Sequence, residues 1–336
     1  MLGKVENLMV EMVASLGDAR SVELFHRVPK GKRLRAKLIL KIAGVSDASL
    51  KLAAIVELIH AASLLHDDVI DDAFTRRGED SINALFGNKT AIMLGDILYS
   101  KGFSELTFMP QNVAYSISHA VALLSVGELL DVELSNTFND SEERYFDMIY
   151  KKTASLIEAS AKAAALLAGK DGDIYALYGK NLGLAFQIID DILDITQSSE
   201  TLGKPSLNDF KEGKTTLPYL YLYQRHSHGD QTQLLSLFQQ ELNDAQKEWI
   251  KSKMHETKAL EDSIFYARKL GLEALAVIEK EEDNQDPDTE ESINLALGKT
   301  VETRINSITG SGSNTEKANL MTDGDLTTYW ESADSY

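Results

Sequence analysis

LLHDDVIDDAFTRRG, Leu64 to Gly78, sets four aspartates and two arginines into a segment that otherwise reads as a buried helix. Asp67, Asp68 and Asp71 are spaced i, i+1, i+4, so on a 3.6-residue helix Asp67 and Asp71 share a face one turn apart. Like charges at that spacing destabilise a helix, and carboxylates against apolar surface are costly unless paired or metal-bound. QIIDDILDI, Gln187 to Ile195, repeats the spacing with Asp190, Asp191 and Asp194. One such acidic run is usually a solvated helix face. Two of them, each embedded in apolar residues and each followed by a basic cluster, point to bound cations instead. All-oxygen ligands in small number suit Mg²⁺, which keeps several waters and often bridges to phosphates. Two such helices facing across a cavity would hold several Mg²⁺ ions and, through them, a diphosphate.

The cations supply the other half of an anion site. Arg76 and Arg77 follow the first motif by about one turn, and Lys204 and Lys214 follow the second in GKPSLNDFKEGKTTLP. Lys32, Arg33 and Arg35 lie in KGKRLRAKL, and Lys151 and Lys152 precede Thr153. Arginine forks match phosphate oxygens bidentately, whereas lysine acts as a point charge. Scattered solvated charge would explain any one cluster. Four of them beside turns or helix ends, in a chain of net charge -18, fit anion binding better. That same acidity leaves no basic excess for a general nucleic-acid binder.

The 336 residues, 43% hydrophobic and 26% charged, have a soluble globular composition. The absence of cysteine excludes disulfides, thiolate metal sites and cysteine nucleophiles, and fits a reducing compartment. The N-terminal MLGKVENLMVEMVASLGDAR is too acidic and interrupted for a secretory signal. No uncharged apolar run approaches the roughly 18 residues of a membrane span, so a cytoplasmic protein is expected. From Met1 to about Lys280 the chain is a series of helix patterns, with apolar residues at three- and four-residue spacing in Leu50–His66, Ala91–Phe108, Val113–Leu134, Arg144–Leu167, Ile174–Ile195 and Ile264–Ile278. Pro29, Pro110, Pro205 and Pro218 are read as lying in the gaps. The expected fold is all-α, a helical bundle around a deep central cavity.

With its motifs in this order (GKRLR, HAASLLHDDVIDD, RRG, KT, FQIIDDILD, GKP, GKTTLP), the chain from about residue 20 to 280 resembles the trans-isoprenyl diphosphate synthases, in particular the bacterial all-trans polyprenyl diphosphate synthases. The resemblance implies the isoprenoid synthase helical bundle over residues 1–280. It implies that Asp67, Asp68, Asp71, Asp190, Asp191 and Asp194 hold about three Mg²⁺ ions. Arg76, Lys152, Thr153, Gln187, Lys204 and Lys214 would contact the allylic diphosphate, and Lys32, Arg35, His60 and Arg77 isopentenyl diphosphate. The catalytic set would be Asp67, Asp68, Asp71, Arg76, Lys152, Lys204 and Lys214. A homodimer and delivery of the product to a membrane also follow. The chain departs from the family at Lys30, Ala36, Asp80 and Ser81, none of which removes a cation or a ligand. Asp72 has no assigned role.

The implied chemistry needs no side-chain nucleophile. Metal and guanidinium charge would draw off a diphosphate, and the alkene of isopentenyl diphosphate would attack the resulting allylic cation head-to-tail. Ala62 and Ser63 lie five and four residues before Asp67, roughly 6–7.5 Å down the helix at 1.5 Å per residue. Both are small, where an aromatic would block a growing chain. A product longer than farnesyl diphosphate is therefore expected, in the hepta- to decaprenyl range. A class I terpene cyclase, a non-catalytic subunit of a heteromeric synthase and a secreted glycan-binding protein are the competing readings.

After Glu281 the composition changes. EEDNQDPDTEES, residues 281–292, reads as an acidic linker. Residues 293–336, with NLALGKTV and TDGDLTTYWESA, resemble the start of a discoidin-type (factor 5/8 C-terminal) module. Such a fragment lacks most of the strands a sandwich needs to bury a core, so it is expected to be short, irregular or β-like, and poorly ordered.

Overall fold

The structure is a computed structural model that describes residues 1–196 and 206–283. Lys204, most of the linker and the whole discoidin-like segment lie outside the described residues. Within them the chain is almost wholly helical, as the apolar spacing requires.

The helices are α1 (Leu2–Ala14), α2 (Ala19–His26), α3 (Leu34–Ala43), α4 (Asp47–Ile70), α5 (Ile82–Phe86), α6 (Asn88–Leu106), α7 (Gln111–Leu134), α8 (Glu142–Ile149), α9 (Ser155–Leu167), α10 (Gly172–Thr196), α11 (Asn208–Lys211), α12 (Leu217–Arg225), α13 (His228–Leu237), α14 (Asp244–Glu256) and α15 (Ala259–Asp283). Among the described residues, the strands are the two-residue β1 (Thr75–Arg76) and β2 (Glu79–Asp80), paired antiparallel. Short polar side chains start several helices. Asp18 accepts the Ser21 N–H, and Ser46 and Asn243 each form a reciprocal capping box with the residue three positions on.

Two expectations change. The run Arg144–Leu167 is not one continuous α-helix, because a single π turn, Tyr150–Ala154, separates α8 from α9. Pro218 is not in a gap but in the first turn of α12, where its missing N–H removes no hydrogen bond and its fixed φ suits the helix.

The residues form two compact units. The first comprises Met1–Ala122 and Leu156–Gly179, the second Leu123–Ser155 and the described residues from Lys180 onward. In the first, α4 is the core helix and packs against α1, α3 and α6. Leu52, Ile55, Leu58, Ile59 and Ala62 are all fully buried. Gly102 of α6 lets the two backbones approach, since a Cβ there would lie 2.9 Å from Ile59 Cγ1. In the second, Phe210 stacks on Tyr219 at 4.4 Å within a cluster that includes Ile195, Leu222, Ile250 and Met254.

Two helices, α4 and α7, prove long and apolar enough to cross a membrane by length and composition. For α4 the reason is its place in the core, with 78% of its apolar window buried, whereas the window of α7 is 39% buried.

Candidate functional site

In the first unit the site is built at the C-terminal end of α4. Asp67 is half-buried, Asp68 buried, and Asp71 is the exposed C-cap, its N–H donating to the Asp67 carbonyl at 2.8 Å. All three acids crowd the negative end of the helix dipole, an unfavourable place for a carboxylate. The arrangement costs stability unless a cation answers it.

Asp72 follows with φ 49° and reverses the chain, a left-handed conformation that aspartate tolerates better than most residues. That is the role the sequence left open for it. Asn83 pins the reversal by donating to the carbonyls of Asp68 and Ala73 at 3.1 and 3.0 Å.

The RRG motif is a hairpin turn. Arg77 and Gly78 both have positive φ, 56° and 76°, the requirement of a tight two-residue loop between β1 and β2. The turn sends its arginines to different partners. Arg76 Nε and Nη2 lie 2.7 and 2.6 Å from Asp68 Oδ1. Burial raises the Asp68 carboxyl above its ordinary range, and Arg76 opposes that rise. Arg77 donates to the Pro29 carbonyl at 3.4 Å, and Gly31 leaves it room, since a Cβ at Gly31 would lie 2.7 Å from Arg77 Nη1.

The loop of Lys32 and the start of α3 thereby meet the RRG turn, 46 positions on in the chain. His60, half-buried on α4, faces the same cations. Burial and then the charges of Arg35, Arg77, Arg76 and Arg33 hold its imidazole well below the usual histidine range. His60 is thus neutral at pH 7, with the charges of Arg35, Arg76 and Arg77 acting on it. Arg33 is different: its guanidinium lies 3.5 Å from Glu6 and 3.5 Å from Glu57. The sequence reading missed Glu57, a lone acid in an otherwise apolar helical run. Ala62 and Ser63 are buried, and Ser63 Oγ donates to the His60 carbonyl at 2.9 Å.

In the second unit a chain of hydrogen bonds holds the second motif. The Thr153 hydroxyl donates to Gln187 Oε1 at 2.7 Å, and Gln187 Nε2 donates to Asp191 Oδ1 at 2.8 Å. The buried Tyr145 hydroxyl donates to Asp191 Oδ2 at 2.6 Å. Burial, with Asp209 and Asp190 nearby, pushes the Asp191 carboxyl well above the carboxylate range. Asp194 is buried and accepts the Asp209 N–H at 3.1 Å. Asp190 sits half-buried on the same helix.

The π turn sets Lys151, Lys152 and Thr153, and such turns recur at functional sites. Two glycines permit it. A Cβ on Gly127 would lie 2.2 Å from the Lys152 nitrogen, and one on Gly183 2.6 Å from Ala154 Cα. Lys152 Nζ is 2.6 Å from Asp131 and 3.0 Å from Glu128, both buried on α7. Lys214, half-buried, is 2.9 Å from Glu212.

Among the described residues no three carboxylates or imidazoles already converge as a metal site. The donor chemistry still fits a hard divalent cation, because both motifs offer only carboxylate oxygen and both gather more negative charge than their internal cations balance.

Residues 21–254 match the polyprenyl synthetase family. The mitochondrial solanesyl-diphosphate synthase 1 of Oryza sativa is 41% identical over 229 residues, covering 60% of this chain and 53% of that protein. The chain thus spans about half the length of this curated relative. The crystal structure of octaprenyl pyrophosphate synthase from Helicobacter pylori is similar with a TM-score of 0.82 and 43% identity, covering 90% of this chain and 98% of that one. A polyprenyl synthase from Caulobacter crescentus, complexed with calcium and isoprenyl diphosphate, gives 0.80 and 29% identity, covering 90% and 94%.

Proposed function

Because the chain belongs to the polyprenyl synthetase family, we propose that it joins isopentenyl diphosphate head-to-tail to an allylic diphosphate, giving a trans polyprenyl diphosphate longer than farnesyl diphosphate. The observation that carries this reading is the pairing in each unit of a carboxylate-rich helix segment with cations gathered from distant parts of the chain. In the first unit these are Arg35, Arg76 and Arg77 around His60; in the second, the Asp191 carboxylate is tied through Gln187 to Thr153 of the π turn, which also carries Lys152.

In this proposal Asp67, Asp68, Asp71, Asp190, Asp191 and Asp194 are the Mg²⁺ ligands. Asp68 and Asp191 reach a metal only by exchanging the partners they hold here, Arg76 in one case and Tyr145 with Gln187 in the other. About three ions per site would supply the positive charge that lets the allylic diphosphate depart. Arg76, Lys152, Thr153, Gln187, Lys204 and Lys214 would bind that diphosphate, with the π turn fixing Lys152 and Thr153. Lys32, Arg35, His60 and Arg77 would hold isopentenyl diphosphate. His60, kept neutral by burial and then by its cationic neighbours, is able to donate one hydrogen bond without adding to their repulsion. No side chain needs to act as nucleophile, since the alkene attacks the allylic carbon and the departing diphosphate takes the proton. A homodimer, a cytoplasmic location and transfer of the product to a membrane belong to the same proposal.

Chain length would be set beneath the first motif, where Ala62 and Ser63 are small and buried. Replacing Ala62 with Phe is expected to shift products by several isoprene units toward farnesyl and geranylgeranyl diphosphate, read by chromatography of the dephosphorylated alcohols. An unchanged product distribution from a folded variant would contradict the elongation reading at this position.

A further inference from the structure

We infer that Glu57 is a positioning residue for isopentenyl diphosphate: it fixes the guanidinium groups of the cationic cradle without touching substrate. The inference rests on the proposed assignment of Lys32, Arg35, His60 and Arg77 to that substrate. Glu57 is 2% exposed and lies on the core helix α4, one turn before His60. A carboxylate so deeply buried must be answered by charge and hydrogen bonds or it destabilises the fold strongly.

Each Glu57 oxygen has a defined partner. Oε1 accepts the Ala36 N–H at 3.0 Å, and Oε2 lies 3.5 Å from Arg33 Nη1. Ala36 is the third residue of α3, whose N-cap, Arg33, has φ 55° and gives no side-chain cap. Glu57 therefore does from a neighbouring helix what the local sequence fails to do, satisfying an orphan N–H at the positive end of α3. Leu34 and Arg35 lie between Arg33 and Ala36 on that first turn, so fixing the turn fixes Arg35 as well. Glu57 also acts electrostatically on both Arg35 and Arg77. Arg76 is answered by Asp68 and Arg33 also by Glu6, but without the Glu57 charge Arg35 would lose the anion that offsets its repulsion from Arg77, and the loop would spread before an anion arrived.

Arg33, which the sequence places in the same basic cluster but not among the substrate-binding residues, has a different part. It is paired with Glu6 as well as Glu57 and serves as the strut that ties the loop to α1 and α4.

The test is steady-state kinetics of the full chain carrying Glu57→Gln, which keeps an acceptor for the Ala36 N–H and nearly the same volume while removing the charge. The KM for isopentenyl diphosphate is expected to rise about tenfold, the order set by losing a charge-assisted contact, with the KM for the allylic primer changed less than about twofold. Arg35→Ala is measured alongside as the control for the substrate assignment. A rise with Arg35→Ala but none with Glu57→Gln overturns the role of Glu57 and leaves the assignment standing. No rise with either overturns both. Equal losses toward both substrates, with a lower Tm, mean that Glu57 is only structural and also overturn the inference. If Glu57→Gln does not fold, Arg33→Gln breaks the same pair from its other side and is judged by the same selective rise.

Discussion

Changing Asp67 and Asp71 together to asparagine is expected to lower turnover by about a thousandfold or more while leaving the protein folded. The two residues sit one turn apart at the C-terminal end of α4, Asp71 being its C-cap. Loss of a single preorganised electrostatic contact at a reacting centre costs on the order of 10²–10³ in rate, and here two ligands of a charge-stabilising metal would go at once. The fold is expected to survive, since asparagine keeps the side-chain volume and removes two anions from the negative end of the helix dipole. Turnover and thermal melting of the same preparation check both halves. A double variant that keeps near-normal turnover would remove the first motif from the chemistry. One that loses activity only by unfolding would make the aspartates structural.

Gly127→Ala is expected to be nearly as damaging for an unrelated reason. Its new methyl would lie 2.2 Å from the Lys152 nitrogen and 2.7 Å from Lys151 carbonyl carbon and Lys152 Cα, all backbone atoms that no rotamer change can move. The π turn has little room to retreat, because Ala154 is pressed against Gly183 from another helix. Overpacking of this kind costs typically 1–3 kcal/mol. A displacement near 1 Å at positioning groups costs about a hundredfold in rate, and Lys152 and Thr153 sit in the displaced turn. Activity measured below the variant's melting transition separates the two effects. Gly3→Ala, where a Cβ meets nothing within 4 Å, serves as the innocuous control. Normal turnover in Gly127→Ala would show that the π turn does not place catalytic groups.

How much of this was legible in the sequence depends on the kind of signal. Helix spacing and the two aspartate motifs were legible because each is local: an apolar stripe with acids at i and i+4 needs no tertiary knowledge. That Arg77 of the RRG turn would lie against the loop before α3 was not readable from local pattern, since nothing local says that Gly31 makes space for an arginine 46 residues later. The π turn was hidden, as Tyr150–Ala154 contains ordinary helix formers and its cause lies in Gly127 and Gly183 on other helices. Glu57 was hidden differently. It sits inside the apolar run that identified α4, and only its burial and its bond to the Ala36 N–H separate it from a solvated acid. A lone carboxylate within an otherwise apolar helix was the available clue. The aspartates of each motif also read as equivalent in the sequence, whereas their partners differ: Asp68 holds Arg76, Asp191 holds Tyr145 and Gln187, and Asp194 the Asp209 N–H.

The most direct test of the central claim is to incubate the full chain with labelled isopentenyl diphosphate, Mg²⁺ and, in turn, geranyl, farnesyl and geranylgeranyl diphosphate, then size the extracted products. The predicted result is Mg²⁺-dependent label in prenyl chains longer than farnesyl, abolished by a chelator and restored by added Mg²⁺. No incorporation with any primer, or label that stops at farnesyl, would contradict it.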